Sequence, residues 1–471
     1  MRTLRFNDAM RLAAEIANDP RLPSMPRVGI VRDIYGRLRF AVDAYQPLAL
    51  AEDDSADHDI LNEQRYPLDA HEILLSAAAG LGGYATSQQV LYRDDFSNPA
   101  TLFQNADWHE TLLPAFEDAA GVLHPERSML LLDRQVIGQD WLRAEKFSGE
   151  GHPLRIVFYG LKGGVGRSTA LAMLAYKLAQ TGKRVLLMDF DLESPGLSGL
   201  LLPPERVAAY GLIDWFVEDA VGQGGTVLSD IVSDSPLAEH TTGVIRVAAA
   251  MGQCETAYLS KLARVYGDVP SPQGPRSFAT RMVELVSVLE RCERPDVVLI
   301  DSRAGLHDVA AVAIARLADV ALLFATDTAQ SWQGYRQLFL HWQQHPDVLR
   351  AVRERLLMVQ ALFPESDQAD RAERFKQHAY DLFAEHLYDR IEPRNLENSE
   401  ADSDFESAFN FDLDAEDAPH FPLRIRWSGR LQEFNPLLRV EDGGVSAADI
   451  ELAFGPFFTA VMDALPETID E

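Results

Sequence analysis

A glycine-rich segment carries the clearest chemical signal in this sequence of 471 residues. Gly163, Gly164 and Gly166 follow an apolar run and precede Arg167 and Ser168. Closely spaced glycines let a backbone turn so that several N–H groups point to one side, and the first turn of a following helix adds unpaired donors and a positive dipole end. The segment therefore predicts a loop that holds the phosphates of a nucleoside triphosphate.

Side chains around the glycines predict how the cofactors are held. Ser168 is placed to bind the Mg²⁺ that accompanies the phosphates, and Thr169 is placed close to the first phosphate. We expect Val165 to contribute to the same phosphate-binding backbone. The expected cofactors are thus ATP and Mg²⁺.

The loop departs at two positions from the strict pattern Gly-x-x-x-x-Gly-Lys-[Ser/Thr]. Leu161 stands where that pattern has its first glycine, and Arg167 stands where it has lysine. A guanidinium is planar and can bind phosphate oxygens bidentately, whereas an ammonium is a compact charge that follows the transferred phosphoryl group. The arginine therefore predicts that nucleotide binding survives better than turnover.

Acidic residues end two later apolar runs. Asp189 and Asp191 end the run that begins at Val185, and Asp301 ends the run that begins at Val297. We expect Asp191 to orient a water molecule and to belong to the metal site, and Asp301 to hold Mg²⁺ through its water shell. These acids follow the glycine loop in the order that a nucleotide-hydrolysing sheet requires.

All of these residues lie at the ends of short apolar runs that alternate with helical segments. The candidate strands are 156–159, 185–190, 244–249, 297–300, 320–325 and 356–362. Near-continuous apolar strands that alternate with helices are typical of a mostly parallel sheet covered by helices on both faces. The expected fold class is α/β, a P-loop NTPase in which ligands bind at the carboxyl ends of the strands.

Composition divides the chain into four parts. Residues 1–148 predict an α+β domain of unknown role, with a helix near 110–120, and residues 150–385 predict the P-loop ATPase domain. Residues 386–420 predict an acidic linker, with an acidic and aromatic docking segment as the alternative. Residues 421–471 predict a strand and a helix that pack on the ATPase domain.

Charge and cysteine content exclude several classes of function. The formal net charge of −29 repels phosphate backbones and anionic lipid, so neither nucleic acid nor membrane is an expected partner. Cys254 and Cys292 are the only cysteines, which indicates neither a disulfide framework nor a zinc site. Charges interrupt the first twenty residues and no run of eighteen apolar residues occurs, so a cytoplasmic location is expected.

Three motifs together resemble the ParA/MinD family of deviant Walker A ATPases. They are the glycine loop at 162–169, the run 185–191 and the run 298–305, and the resemblance covers about residues 152–365. It implies the P-loop fold and an ATPase activity.

A narrower resemblance is to the bacterial branch known as KGGVGR-motif ATPases. It is carried by Lys-Gly-Gly-Val-Gly-Arg, by Asp-Phe-Asp-Leu-Glu-Ser-Pro-Gly-Leu at 189–197 and by Asp-Ser-Arg-Ala-Gly-Leu at 301–306. Arginine is the usual residue at the sixth position of that motif in this branch, so Arg167 is not interpreted as an isolated inactivating change.

The resemblance implies roles for single residues. Lys162 matches the signature lysine, which reaches across a nucleotide-sandwich homodimer to the phosphates of the second copy. Asp191 matches the first switch aspartate, and Asp301 matches the magnesium-site aspartate. ATP would then clamp the dimer.

Two departures from the family pattern leave alternatives open. Arg303 and Ala304 replace the Pro-Pro that usually follows the magnesium-site aspartate and its neighbour. Arg303 is either an in-built arginine finger with a catalytic role or a residue paired with a nearby acid such as Asp308. The strand at 359–362 lacks the asparagine that commonly reads adenine, so the base preference stays open.

Two functions follow from these motifs. The first is a slowly hydrolysing ATPase that forms a nucleotide-sandwich dimer and acts as a molecular switch for a partner protein, in a bacterial regulatory or defence system. The second is a nucleotide-gated adaptor that binds nucleotide but scarcely hydrolyses it. The partner protein and the pathway are not identified by the sequence.

Overall fold

The structure divides into two units. It is a computed structural model that describes residues 4–47, 65–117, 122–144, 151–253, 257–272, 274–390, 408–431, 435–442 and 444–463. The first unit comprises Met1–Arg143 and His341–Leu349, and the second comprises Ala144–Leu340 and Arg350–Glu471. Residues 341–349 thus group with the first unit, although they lie inside the segment 150–385.

A five-stranded sheet forms the centre of the first unit. Its strands are β1 (Gly29–Arg32), β2 (Leu38–Ala41), β3 (Ala85–Leu91), β4 (Trp108–Leu113) and β7 (Arg127–Asp133), and a separate ladder joins β5 (Phe116–Glu117) to β6 (Leu123–His124). The spatial order is β3-β2-β1-β7-β4, with β1 antiparallel to β2 and parallel to β7. The helices of this part are α1 (Phe6–Ala17), α2 (Leu68–Ala78) and α3 (Ala100–Phe103).

The prediction of a helix near residues 110–120 is wrong. Residues 108–113 form β4, which pairs in antiparallel register with β7 and places Trp108 opposite Leu132. The apolar spacing of this short segment fits a helix and a strand equally well. The ladder to β7 decides between them, and that pairing is not visible in the local sequence.

An eight-stranded sheet forms the centre of the second unit. Its strands are β8 (Leu154–Gly160), β9 (Arg184–Asp189), β10 (Ser233–Asp234), β11 (Val244–Ala248), β12 (Val297–Asp301), β13 (Val320–Ala325), β14 (Leu356–Phe363) and β15 (Leu423–Arg426). The spatial order is β10-β11-β9-β12-β8-β13-β14-β15, and every neighbouring pair is parallel except β10 with β11. Each of the six predicted strands is present within two residues of its expected bounds.

Helices connect these strands. In the described part of the chain after residue 144 the helices are α4 (Arg167–Gln180), α5 (Leu197–Leu201), α6 (Leu212–Ala220), α7 (Tyr258–Val265), α8 (Phe278–Glu293), α9 (Asp308–Val312), α10 (Ala329–Gln343), α11 (Pro346–Val352), α12 (Gln368–His386) and α13 (Ala447–Asp463). On β8, Ile156 and Phe158 lie in one core cluster with α4, while the alternate residues Val157 and Tyr159 are equally buried. Both faces of the sheet are therefore covered, and the expected mostly parallel P-loop sheet is confirmed.

Residues 421–463 complete this sheet and its core. β15 pairs with β14, with Val359 opposite Leu423. Phe457 and Phe458 of α13 belong to the same buried cluster as α4. The C-terminal segment therefore supplies an edge strand and a covering helix to the second unit.

Only the two ends of the expected acidic linker, residues 386–390 and 408–420, can be described, because residues 391–407 lie outside the described residues. Three rings from its last part pack on Tyr388, with centroid distances of 5.6 Å for Phe409, 5.5 Å for Phe411 and 5.9 Å for His420. Residues 408–420 are therefore packed on the second unit. The docking-segment alternative for the remainder stays a prediction.

Within the described residues, no helix is both long enough and apolar enough to cross a membrane.

The first prediction concerns a buried ion pair that joins β8 to α8. Arg155 Nε and Nη2 donate to the two carboxylate oxygens of Glu290 at 2.6 and 2.7 Å, and both side chains are buried. We expect Arg155→Met to lower the free energy of unfolding by about 3–5 kcal/mol, because Glu290 loses these donors while staying buried. Thermal denaturation should show most of the loss recovered in Arg155→Met/Glu290→Leu.

The matched control is Arg206→Met, which removes an ion pair to Glu239 whose two side chains are 43% and 49% exposed. Its expected cost is below about 1 kcal/mol. Equal losses in Arg155→Met and Arg206→Met would contradict the prediction.

The second prediction concerns a histidine cluster in the first unit. His345 packs its ring against His109 and His341, and its Nδ1 lies 2.9 Å from the His341 carbonyl oxygen. Burial lowers the pKa of His345 from 6.5 to about 4. The unfolded chain therefore binds a proton that the folded chain excludes, and stability is lost as pH falls from about 6.5 toward 4.

We expect His345→Asn to reduce the stability lost between pH 7.5 and pH 5 by about 2 kcal/mol, because the amide keeps a donor without the titration. Thermal midpoints at the two pH values measure this difference. The exposed His240→Asn is the control. An unchanged pH dependence in His345→Asn would contradict the prediction.

Candidate nucleotide-binding site

The predicted phosphate loop connects β8 to α4. Gly166 is the N-cap of α4, and Gly164 and Gly166 adopt φ values of +75° and +78°, which favour glycine. A Cβ atom placed on Gly163 or Gly164 would have no atom within 4 Å, so this side of the loop is open. The loop thus presents backbone donors and the N-terminus of a 14-residue helix to an open space that an anion can occupy.

Arg167 does not extend into that open space. Its Nε donates to Asp301 Oδ1 at 2.6 Å and its Nη2 donates to Asp191 Oδ2 at 3.0 Å. Burial disfavours its charge, but the two carboxylates outweigh burial and the pKa of Arg167 is raised. Nη1 is buried and has no hydrogen-bond partner among the described residues. The guanidinium is therefore an ion bridge with one donor unused.

Ser168 and Asp301 lie together, as the expected magnesium site requires. Ser168 Oγ donates to Asp301 Oδ2 at 2.5 Å, and Asp301 is almost fully buried. Asp301 therefore accepts from both consecutive residues, Arg167 through one oxygen and Ser168 through the other.

Asp189 has a role that sequence reasoning missed. Its carboxylate is fully buried and accepts backbone N–H groups of Asp191, Gly196 and Leu197 at 3.1 Å each. Burial, and then the charge of Asp301, raise the pKa of Asp189 despite these hydrogen bonds. Asp189 therefore shapes the loop that carries Asp191. In the sequence, the position of Asp189 at the end of a strand did not distinguish it from the acids that were expected to bind the ligand.

Asp191 faces Arg167 from the end of β9. Burial raises the pKa of Asp191, although the Arg167 charge opposes this shift. The side chain is partly exposed, with 13% of its surface accessible. Asp191 is thus the carboxylate of this group with access to a bound substrate or water.

The remaining loop residues fall into two groups. Val165 is buried in the core, whereas Lys162 and Thr169 are half-buried at the loop surface. Leu161, which replaces the first glycine of the strict pattern, packs on α10, where its Cδ1 lies 2.7 Å from a Cβ built on Gly334. The absence of a side chain at Gly334 therefore leaves space for the Leu161 side chain.

Arg303 pairs with an acid that the sequence did not single out. Its Nη1 lies 2.5 Å from Glu193 Oε1, in the loop after β9. The expectation of a nearby acidic partner had pointed to Asp308 as an example. Glu193 is far from Arg303 in the sequence, and the loops that carry them meet because β9 and β12 are neighbours in the sheet.

Leu362 is a second residue that sequence reasoning missed as part of the site. It has a φ of +52°, an uncommon conformation for leucine, and its Cδ2 lies 3.6 Å from a Cβ built on Gly166. The pairing of β14 with β15 shifts register here. Leu362 therefore lies against the phosphate loop, at the strand that lacks the adenine-reading asparagine.

The donor set fits a magnesium nucleotide. A hydroxyl and carboxylates are the hard oxygen ligands that Mg²⁺ prefers, and this ion usually takes its other ligands from water and phosphate. Within the described residues no group of three or more His, Cys, Asp or Glu could hold a metal ion alone. The arrangement therefore suits a magnesium ion that is bound together with a nucleoside triphosphate. Arg167, Ser168, Asp191 and Asp301 thus lie together beside the glycine loop.

Comparison with protein families matches residues 156–387 to the model described as the CobQ/CobB/MinD/ParA nucleotide binding domain. The antiactivator FleN of Pseudomonas aeruginosa is 29% identical over 188 residues, which are 40% of this chain and 55% of FleN. The chromosome-partitioning ATPase Soj of Thermus thermophilus is 48% identical over 52 residues, which are 11% of this chain and 21% of Soj. The chain therefore spans about half of FleN and about a fifth of Soj.

Solved structures give more distant matches. An ATP complex of a Cyanothece McdA variant is 16% identical and has a TM-score of 0.39, over 68% of this chain and 99% of McdA. Cobyrinic acid a,c-diamide synthase from Mycobacterium smegmatis, with an ATP analogue and magnesium bound, is 16% identical with a TM-score of 0.36, over 51% and 86%. Because these TM-scores lie below 0.5, the two structures add nothing about the site of this chain.

The structure of pNOB8 ParA bound to nonspecific DNA matches with 16% identity and a TM-score of 0.38, over 66% of this chain and all of that one. Because this TM-score also lies below 0.5, the DNA in that structure says nothing about this chain. The expectation from net charge that nucleic acid is not a partner has no support from the comparisons.

The third prediction tests the ion bridge of Arg167 in the nucleotide-free chain. We expect Arg167→Lys to lower the free energy of unfolding by about 1–3 kcal/mol, because an ammonium cannot serve Asp191 and Asp301 with two fixed donors. Thermal denaturation without nucleotide measures the loss.

Arg246→Lys is the matched control, because Arg246 also joins two carboxylates, of Asp234 and Glu293, at 2.9 and 2.7 Å. Its side chain is 24% exposed, against 8% for Arg167, so solvent screens the pair and the expected loss is smaller. A loss in Arg167→Lys no greater than in Arg246→Lys would count against the prediction.

Proposed function

Because residues 156–387 form a nucleotide-binding domain of the ParA/MinD type of P-loop ATPase, we propose that this chain binds ATP with Mg²⁺ and hydrolyses it slowly. The family resemblance of the motifs is thereby confirmed, while membership of the KGGVGR branch stays a prediction. The observation that supports ATP hydrolysis is the meeting of Arg167, Ser168, Asp191 and Asp301 beside an open glycine loop.

Each residue of this group has a defined task in the proposed reaction. Bound ATP would supply the electrophilic γ-phosphorus, and Mg²⁺ would neutralise part of the phosphate charge. The backbone of 163–169 would bind the phosphates, and Ser168 with Asp301, the latter through water, would hold the metal. Asp191 accepts a hydrogen bond from the attacking water and orients it.

Arg167 has to exchange partners before it can assist. Without nucleotide its guanidinium neutralises Asp191 and Asp301. Its Nη1 has no hydrogen-bond partner among the described residues, but this atom is buried, so it meets a phosphate oxygen only if the guanidinium moves. Full engagement of the phosphates costs at least one of these pairs, which is a physical reason for slow turnover.

The same observation favours the second function, a nucleotide-gated adaptor. If Arg167 keeps both carboxylates, the site binds nucleotide through its backbone but does not stabilise the transferred phosphoryl group. Arg303 is likewise held by Glu193. The two functions therefore differ in whether these arginines leave their acids.

Dimerisation and control of a partner protein complete the proposal. Lys162 lies at the surface of the loop, as a residue must if it is to reach the phosphates of a second copy. The relative FleN is an antiactivator, which favours a regulatory role exerted through a protein partner. We propose a nucleotide-sandwich homodimer that switches such a partner in a bacterial regulatory or defence system.

The fourth prediction is that phosphate release requires Asp191 and that dimerisation requires Lys162. Purified chain with Mg²⁺-ATP should release phosphate slowly and form dimers in size-exclusion light scattering. Asp191→Ala should lower release about 10²-fold or more while dimers persist, because it removes the group that orients water. Lys162→Ala should abolish the dimers.

A fluorescent ATP analogue measures binding in the same samples, and the surface substitution Lys183→Ala is the control for Lys162→Ala. Tight analogue binding without any phosphate release would favour the adaptor. No analogue binding by the unaltered chain would contradict both functions, and dimers that form equally in Lys162→Ala would contradict the sandwich.

A further inference from the structure

Glu193 connects three separate segments next to the candidate site. It lies in the loop after β9, two residues beyond Asp191. It contacts Arg303 in the loop after β12 and Tyr266 just after α7. None of these contacts is part of the phosphate-binding loop, so the geometry of that loop does not account for them.

All three donors that approach Glu193 converge on one of its oxygens. Oε1 lies 2.5 Å from Arg303 Nη1, accepts the Tyr266 hydroxyl, and lies 4.0 Å from His307 Nε2. Oε2 is buried and has no hydrogen-bond partner among the described residues. The carboxylate is therefore held through a single atom while its second oxygen is left unsatisfied, which makes it a poorer partner for a guanidinium than a bidentate anion is.

The backbone around Arg303 is fixed, so its side chain can change partners without a large movement. Ser302 N–H donates to the Phe158 carbonyl at 3.1 Å, and Gly305 N–H donates to the Gly160 carbonyl at 3.1 Å. Both acceptors lie on β8, directly before the phosphate loop. Arg303 thus projects from a loop that is tied to the strand leading into the nucleotide site.

Tyr266 extends this arrangement to a peripheral helix. Its hydroxyl donates to Glu193, and its ring packs at 5.4 Å from the ring of His307. Tyr258, at the start of α7, donates to the Leu192 carbonyl at 2.6 Å. The α7 segment, residues 258–266, therefore holds the loop of Glu193 from two points.

We propose that Glu193 is a positioning residue that holds Arg303 in the nucleotide-free chain, and that Tyr266 stabilises this arrangement from the α7 segment. Arg303 contributes to hydrolysis only after it exchanges Glu193 for the phosphate oxygens of bound nucleotide. This inference rests on the proposed ATPase function.

The test compares phosphate release by the unaltered chain and by Glu193→Gln, which keeps the size of the side chain and removes its charge. We expect kcat to rise about ten-fold and KM for ATP to change by less than about two-fold. The substitution lowers the free-energy cost of separating Arg303 from residue 193, and it leaves the nucleotide-binding contacts of the glycine loop unchanged. In Glu193→Gln/Arg303→Ala the gain should disappear. Tyr266→Phe, a milder change, should raise kcat about two-fold.

Two further measurements separate this role from a merely structural one. Hydrogen exchange of residues 302–307 without nucleotide should be faster in Glu193→Gln than in the unaltered chain. Glu239→Gln is the matched control, because it removes the charge from an ion pair of the same 2.5 Å length to Arg206 in the same unit. Glu239→Gln should change neither the hydrogen exchange of residues 302–307 nor kcat.

Equal or lower turnover in Glu193→Gln would overturn the inference, and so would a gain that persists when Arg303 is replaced. Binding of a fluorescent ATP analogue, measured in parallel, reports on the proposed function separately. Analogue binding without a gain in Glu193→Gln overturns only the role of Glu193, whereas no binding by the unaltered chain overturns the proposed function as well.

Discussion

The ion bridge between Arg167 and the carboxylates of Asp191 and Asp301 is the interaction on which the candidate site depends. Three acids meet at the carboxyl edge of the sheet, and burial disfavours the charge of each. A single buried guanidinium compensates two of them, and backbone N–H groups compensate Asp189. Without this cation, the strand ends could not place so many carboxylates beside an anion-binding loop.

The strand order explains why these groups meet. β12 lies between β8 and β9, so the loop that follows β8 has the acid of β12 beside it and the acids of β9 one strand further away. The chain passes from β8 to β9 on one side and later to β13 on the other, which makes this edge the point where the sheet order reverses. The open side of the glycine loop therefore depends on the strand order as well as on the glycines.

The sequence was sufficient for the parts of the site that are local. The glycine loop, the start of α4 at Arg167 and the acids at strand ends were predicted because each is encoded within a few consecutive residues. The pairing of Arg303 with Glu193 was not, since it depends on two loops that adjacency of β9 and β12 brings together. β4 was predicted as a helix for the same reason, because its ladder to β7 is non-local. The left-handed Leu362 gave no local signal at all.

The contact between Leu161 and Gly334 links two positions that are far apart in the chain. A side chain at residue 334 would force the end of the Leu161 side chain to move, whereas a smaller residue at 161 would leave space for it. A change at one position therefore alters the packing of the other. In an evolving lineage the two should change together, and a strict-pattern glycine at 161 should release residue 334 from its constraint.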